Sequence, residues 1–565
     1  MNGPHYLLNL RDSHRNRFEV QLQFTPTNKF QKLQLPAWTP GSYLERAYSR
    51  HLEGLKAFQG NEQLRLKRLT SDSWMLEVTP NQPLIVNYAL LAVDASVRTN
   101  LLDHQHGFLT AAAWALEVDG QRWFNHLISV ELPKGWSLAT ALLKTENGTY
   151  WAENFDQLVD SPLALGDLNE FIFAVGGVPH RWVWQGLINQ IDQEEWNYQL
   201  PLICKKVCDL MAVDKPPVAN YLFLIRFYDY GYGGLEHSDS CALIFPRKEL
   251  NSPSGKRRFL QLVAHEYLHL WNIKQLRPLE LYPYSYTGEI IIPSLWFAEG
   301  VTSYYDSLIV LRAGLCNRIE YYEDLAKEIT RYLLTPGRYV QSLQQSSEEA
   351  WVKLYRRDQY SDNQQISYYL KGQLVALLID LHLISIGYSL QNYLQDLWHK
   401  FGRSQRGYTQ KDLLDTAAKY DQILAINMKS WLEDTGDLNF ENYFSIFGIL
   451  LTPEFNNIPF TGLHLENQHG ELTIIRIDRD SPAEKAMMQT NSEILAIDSE
   501  RCKTIDQFNN TLSANNSHSI LINYRGLIQE RILIPEKSKP ICWCLHEDNS
   551  AASAAVESRE RWLNG

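Results

Sequence analysis

Residues His265-Glu266-Tyr267-Leu268-His269 carry the pattern H-E-x-x-H within a stretch, Lys256 to Leu276, whose apolar spacing predicts an amphipathic helix. On a helix, side chains four positions apart project from one face a single turn apart, so the two imidazoles can share one tetrahedral metal ion with Glu266 beside it. Ser252-Pro253-Ser254-Gly255 supplies a capping and breaking cluster before this helix. Phe259, Leu260, Leu262, Val263, Tyr267, Leu268 and Leu270 give it a broad apolar surface, and Pro278 follows its end.

A catalytic zinc ion needs a third protein ligand and one open position for water. Pro293 to Gly300, reading P-S-L-W-F-A-E-G, opens a second helical run that continues through Tyr304, Tyr305, Leu308, Ile309 and Leu311 to Gly314. Glu299 stands there among Trp296, Phe297 and Val301, where an unpaired charge is costly unless it is paired or bound to a metal. It is the candidate third ligand, and zinc-dependent hydrolysis is the chemistry this set of donors implies.

The succession H-E-x-x-H then W-x-x-E-G resembles the gluzincin metallopeptidases, in which a Glu on the next helix completes the zinc site. The spacer here is long, so Arg277 to Ile292 is expected to loop out between the two helices. The chain is more similar to the glycyl aminopeptidase family, as Pro36-Ala37-Trp38-Thr39-Pro40-Gly41-Ser42-Tyr43 and Asp160-Ser161-Pro162-Leu163 also indicate. That resemblance implies a multidomain α+β protein: an N-terminal antiparallel β domain, a thermolysin-like catalytic domain with a helical C-terminal part, and a PDZ-like domain. It also implies one zinc ion per chain, held by His265, His269 and Glu299.

Two further segments carry chemistry. Gly233-Gly234-Leu235-Glu236-His237 resembles the G-A-M-E-N segment of related aminopeptidases, an edge strand whose Glu receives the free α-amino group of the substrate. A carboxylate suits that task because its charge-assisted bond to an ammonium is strong and a blocked N-terminus cannot form it. Ser367-Tyr368-Tyr369-Leu370-Lys371-Gly372 resembles the Y-x-K-G segment, whose Tyr hydroxyl donates to the developing oxyanion. Register points to Tyr369, two positions before Lys371, with Tyr368 its immediate neighbour. The resemblance casts Glu266 as the general base.

Composition bounds the rest. A chain of 565 residues with 45% hydrophobic and 21% charged residues is long enough for several soluble domains. A formal charge of −12 argues against nucleic acid as a partner. The first 17 residues lack the charged-then-apolar pattern of a secretory signal, carrying Arg11, Asp12, Arg15 and Arg17 instead. The longest apolar stretch, Leu374 to Ile386, is broken by Asp380 and His382 and is too short to span a bilayer. A cytoplasmic protein without a membrane partner is the expectation, and its seven Cys show no disulfide framework. Cys542-Trp543-Cys544 is a weak metal or redox cue.

Four blocks are expected along the chain. Residues 1–170 alternate apolar and polar with period two, as in Phe18 to Phe24, and form the β domain. Residues 171–445 form the peptidase domain, with strands giving way to helices such as Ser367 to Ile386. Residues 450–537 resemble a PDZ domain, with Phe460-Thr461-Gly462-Leu463 as its carboxylate-binding loop and Asp480-Ser481-Pro482-Ala483 entering a short helix. That block either captures the C-terminus of a peptide or only packs on the catalytic domain. Residues 538–565, rich in Ala and Ser, read as a surface tail.

The leading function is a zinc aminopeptidase acting on peptides with a free N-terminus, with glycine or alanine preference implied by the family resemblance. A zinc endopeptidase and a catalytically idle PDZ-containing scaffold are the alternatives. The sequence leaves the oligomeric state open.

Overall fold

The structure is a computed structural model that describes residues 3–186 and 192–565. The chain divides into two compact units, Met1–Ile290 with Leu394–Thr409, and Ile291–Tyr393 with Gln410–Gly565.

The first unit begins as the predicted β domain. Strands Arg17–Phe24 and Leu84–Leu91 pair antiparallel at the centre of an eight-stranded sheet. Alternation places Phe18, Val20, Leu22 and Phe24 on the buried face and Glu19, Gln21 and Gln23 in solvent. The sheet is not wholly antiparallel, because His5–Asn9 runs parallel to His126–Glu131.

A five-stranded sheet follows, ordered Asn169–Val175, Val178–Gln185, Tyr221–Tyr228, Ser240–Pro246 and Gly233–Glu236. Its three inner strands are parallel, and Tyr221–Tyr228 and Ser240–Pro246 are nearly continuous in apolar residues, as expected of strands covered on both faces. The last strand, Gly233–Glu236, is an antiparallel edge. Helices Gln193–Leu210 and Pro253–Leu268 lie against this sheet, where Trp182, Trp196, Phe227 and Phe259 form one aromatic layer.

The spacer after the H-E-x-x-H helix does not loop out as the sequence suggests. Tyr284 and Tyr286 are buried, and the Tyr286 carbonyl accepts from the Ala37 amide at 2.8 Å. The Trp38 indole donates to the Ser285 carbonyl at 2.8 Å. Aromatic side chains in both segments give them apolar surface to bury, which a count of spacer residues does not register.

The second unit is helical at first. Val301–Arg312, Arg318–Leu333 and Tyr368–Ser385 pack with Gln410–Tyr420 and Gln422–Glu433. Tyr368–Ser385 is buried almost all round, hence its largely apolar composition. Among the described residues no single helix is long and apolar enough to cross a membrane. A β block then forms around Leu472, Ile474, Ile494, Phe508, Ile520 and Ile522. Its strands run Leu463–Gln468, Glu471–Ile477, Glu493–Ile497, His518–Tyr524 and Leu527–Leu533, with short helices Pro482–Lys485 and Ile505–Thr511.

Residues 538–565 are not a surface tail. Pro540–Glu547 pairs antiparallel with Ile449–Phe455, and Ser553–Asn564 is a helix. Trp562 is fully buried, and its indole donates to the Tyr304 hydroxyl at 2.9 Å. Two large apolar residues, Trp562 and Leu563, anchor a segment whose Ala and Ser content suggests a solvated end.

Candidate active site

The H-E-x-x-H helix starts as its sequence dictates. Pro253 occupies the first turn, and the Ser252 hydroxyl accepts from the Gly255 amide at 3.0 Å. It ends at Leu268, well before the expected Leu276, with His269 as its cap. The chain then turns tightly through Ile273, whose φ of 111° is rare for a β-branched residue. This turn brings the Asn272 carbonyl to 2.8 Å from His269 Nδ1, which donates to it and leaves the Nε2 lone pair for a ligand.

The Nε2 atoms of His265 and His269 lie 3.0 Å apart, with their rings nearly perpendicular. Two nitrogens on one tetrahedral zinc, each about 2.0–2.1 Å from it, stand about 3.3 Å apart, so the pair fits a shared ion. His265 and His269 belong to the first unit and Glu299 to the second. Two imidazoles and a carboxylate are the donor set of a catalytic zinc site with one position left open.

Glu236, Glu266 and His269 form a second group with donor atoms within 4.8 Å of one another, all three buried. The edge strand that carries Glu236 lies against the H-E-x-x-H helix. A Cβ on Gly234 would fall 2.0 Å from Glu266 Oε1 and 2.5 Å from its Cγ, so only glycine permits this approach. The strand is pinned by pairing with Ser240–Pro246 and by the Arg98 guanidinium, which donates to the Gly234 carbonyl at 3.0 Å. Gly233 lies at the start of the strand and Leu235 points into the core beneath it. A Cβ on Gly41, from the P-A-W-T-P-G-S-Y segment, would fall 2.5 and 2.6 Å from the two Glu236 carboxylate oxygens.

His237 turns away from Glu236. Its Nδ1 lies 3.1 Å from Asp160 Oδ1, to which Lys274 Nζ also donates at 2.7 Å, while the Ser238 amide and hydroxyl donate to Oδ2. Burial alone would raise the Asp160 carboxyl, but the Lys274 ammonium and His237 outweigh it and hold it below the usual carboxylate range. Asp160 thus ties the end of the Glu236 strand to the turn after His269. Beside it, burial and the Asp160 charge push Asp239 up to about 7.

In the second unit Glu299 is 2% exposed and sits in a π-helical turn, Trp296–Gly300, that leads into Val301–Arg312. Such turns recur at functional sites because they redirect side chains that a regular helix would stack. A Cβ on Gly300 would lie 2.4 Å from the Gly372 backbone, so the W-x-x-E-G and Y-x-K-G helices cross at a pair of glycines. That crossing brings Tyr369 beside Glu299. Burial, then the Glu299 charge, raises the Tyr369 phenol well above its ordinary value and keeps it a hydrogen-bond donor.

Tyr368 stacks on Tyr369 at 4.7 Å, and both hydroxyls reach that of Tyr355, at 3.3 and 3.2 Å. Tyr355 carries no motif and goes unseen in the sequence. The Lys371 ammonium is buried, lowered to about 8 for that reason, and donates to the Asp434 carbonyl.

Phe460-Thr461-Gly462-Leu463 lies along a cavity of about 820 Å³ also lined by Arg338 and Lys539. Phe460 exchanges both backbone hydrogen bonds with Glu536, and the Leu463 amide donates to the Thr461 hydroxyl at 3.1 Å.

Known proteins resemble this chain along much of its length. The M61 glycyl aminopeptidase profile matches residues 258–375, and the peptidase M61 N-terminal domain profile matches residues 5–167. An aminopeptidase N family protein from Idiomarina loihiensis has a similar crystal structure, with 28% identity, full coverage of both chains and a TM-score of 0.93. An M1 zinc metallopeptidase from Deinococcus radiodurans is 13% identical over 78% of this chain and 95% of its own, with a TM-score of 0.49. No curated protein matches. The chain belongs to the M61 glycyl aminopeptidase family and is a zinc peptidase.

Proposed function

We propose that this chain removes small N-terminal residues from peptides with a free α-amino group, using one zinc ion held by His265, His269 and Glu299. The observation that carries this reading is the adjacency of Glu236, Glu266 and His269. It sets a carboxylate able to receive an ammonium within reach of a base and of a metal ligand, so that only the bond after the first residue meets the chemistry.

Zinc, when bound, polarises the scissile carbonyl and lowers the pKa of water enough to supply a nucleophile near neutral pH. Glu266 accepts the proton of the attacking water and passes it to the leaving amine. The Tyr369 hydroxyl donates to the carbonyl oxygen as negative charge develops there. Glu236 accepts from the substrate ammonium and fixes the register of the peptide, while Asp160, through His237 and Ser238, holds the strand beneath it. The close packing of Gly41 on Glu236 supports a preference for glycine or alanine, because it leaves little depth beside the amine.

The 450–537 block is read as a PDZ-like module. Its support is an exposed sheet edge at Leu463–Gln468 behind the Phe460–Leu463 loop and a cavity flanked by Arg338 and Lys539, which suit the carboxylate of a peptide C-terminus.

Cleavage of glycyl, alanyl, leucyl and N-acetylated fluorogenic substrates, before and after chelation and zinc restoration, tests the assignment. Glycyl and alanyl substrates turned over in a zinc-dependent manner, with acetylated ones refused, is the expected result. Equal cleavage of blocked and free substrates overturns the exopeptidase reading in favour of an endopeptidase.

A further inference from the structure

The ribbon formed by Ile449–Phe455 and Pro540–Glu547 gathers three potential ligands on one face. Glu454 stands opposite Cys542, and Thr452 opposite Cys544, in the antiparallel register. Positions two apart on a strand share a face, so both thiols project on the same side as the Glu454 carboxylate. The opposite face is occupied elsewhere: Leu545 is buried, and the Tyr322 hydroxyl donates to Glu547 at 3.0 Å.

The donor atoms of Glu454, Cys542 and Cys544 lie within 4.8 Å of one another, and Cys542 Sγ is 3.3 Å from Glu454 Oε2. Two sulfurs on a tetrahedral zinc, each about 2.3 Å from it, stand about 3.8 Å apart, so a modest side-chain adjustment closes the site. Both thiols are partly exposed, whereas Cys204, Cys208, Cys241 and Cys502 are buried. Paired accessible thiols beside a carboxylate form a soft, anionic donor set suited to a thiophilic divalent cation. A bound cation takes both sulfurs as thiolates, because a coordinating thiol gives up its proton.

We propose that Glu454, Cys542 and Cys544 form a second zinc site, separate from the catalytic residues, that clips together the two strands leading into and out of the 450–537 block. The fourth position is left to water. The proposal does not depend on the aminopeptidase reading, since neither set of ligands contributes to the other.

The two sites differ in spectroscopy. The catalytic donors are nitrogen and oxygen only, so a sulfur-to-metal charge-transfer band reports the ribbon alone. The experiment uses reduced full-length protein, with its catalytic site already loaded with zinc, titrated with cadmium or cobalt.

The expected result is a charge-transfer band that saturates at one further equivalent per chain. It disappears in Cys542→Ser and in Cys544→Ser and weakens at least about tenfold in affinity in Glu454→Gln, with peptidase turnover unchanged in all three. Absence of the band in parent protein with free thiols overturns the proposal, as does a band that survives both serine substitutions. Alkylation of the parent, mapped by peptide mass, decides the matter should a variant misfold: zinc protects Cys542 and Cys544 if the site exists, and unprotected thiols refute it.

Discussion

Gly234→Ala tests whether the edge strand sets the position of the general base. The added Cβ would stand 2.0 Å from Glu266 Oε1, 2.2 Å from its carboxyl carbon and 2.5 Å from Cγ. Rotating the carboxylate alone gives no relief, because Cγ is also overlapped. The strand cannot readily retreat, being paired along Ser240–Pro246 and bonded to Arg98. Glu266 must therefore withdraw by more than about 1 Å, a displacement that costs roughly 10²-fold in rate when it affects a positioned reacting group. That loss corresponds to about 2.7 kcal/mol of transition-state stabilisation and falls within the usual contribution of a general base.

The assay is kcat/KM on an alanyl fluorogenic substrate, read beside zinc content and Tm. Gly234→Ala should keep its zinc and its fold while losing about 10²-fold in kcat/KM. In a Glu266→Gln background the same substitution should cost nothing further, because the base it displaces is already gone. Full additivity of the two substitutions, or wild-type activity in Gly234→Ala, would refute the reasoning.

Other parts of the molecule give separate tests. Tyr369→Phe should lower kcat by about 10²–10³-fold with little change in KM, as expected for loss of one donor to the oxyanion; an unchanged kcat rules Tyr369 out of that role. Asp239, raised to about 7 by burial and by Asp160, keeps in the folded state a proton that the unfolded chain releases near pH 4. The parent therefore loses stability as pH rises from about 4 to 7. Asp239→Asn should match the parent in Tm near pH 4 and exceed it above pH 7, and a Tm difference that stays constant across that window contradicts the assignment. Trp562→Ala should destabilise the second unit by about 3–5 kcal/mol in denaturant unfolding, the usual cost of emptying a fully buried indole site, whereas a loss below about 1 kcal/mol would mean that the C-terminal helix is dispensable.

Much of the site is legible in the sequence because its chemistry sits on regular spacing. Two imidazoles at positions 265 and 269 need only a helix to meet, and the glycines of G-G-L-E, E-G and K-G mark close approaches that the structure contains. What escapes a linear reading depends on contacts distant in sequence. Tyr355 matters only through the hydroxyls of Tyr368 and Tyr369, and His237 proves to serve Asp160, seventy-seven positions earlier in the chain. The helix boundary after Leu268 was hidden because apolar periodicity continues through Trp271 and Leu276, residues buried by tertiary packing rather than by a continuing helix. The C-terminal strand and helix escaped for the opposite reason: composition averages over Trp562 and Leu563, the buried side chains that anchor the helix.

The central claim, a single catalytic zinc held by His265, His269 and Glu299, is tested most directly by metal content measured together with turnover in a Cys542→Ser/Cys544→Ser background. The account predicts one zinc per chain in that protein and in its Glu266→Gln derivative, the latter nearly inactive, and loss of both zinc and activity in Glu299→Ala. A Glu299→Ala protein that retains its zinc and cleaves alanyl substrate at the parental rate would contradict it.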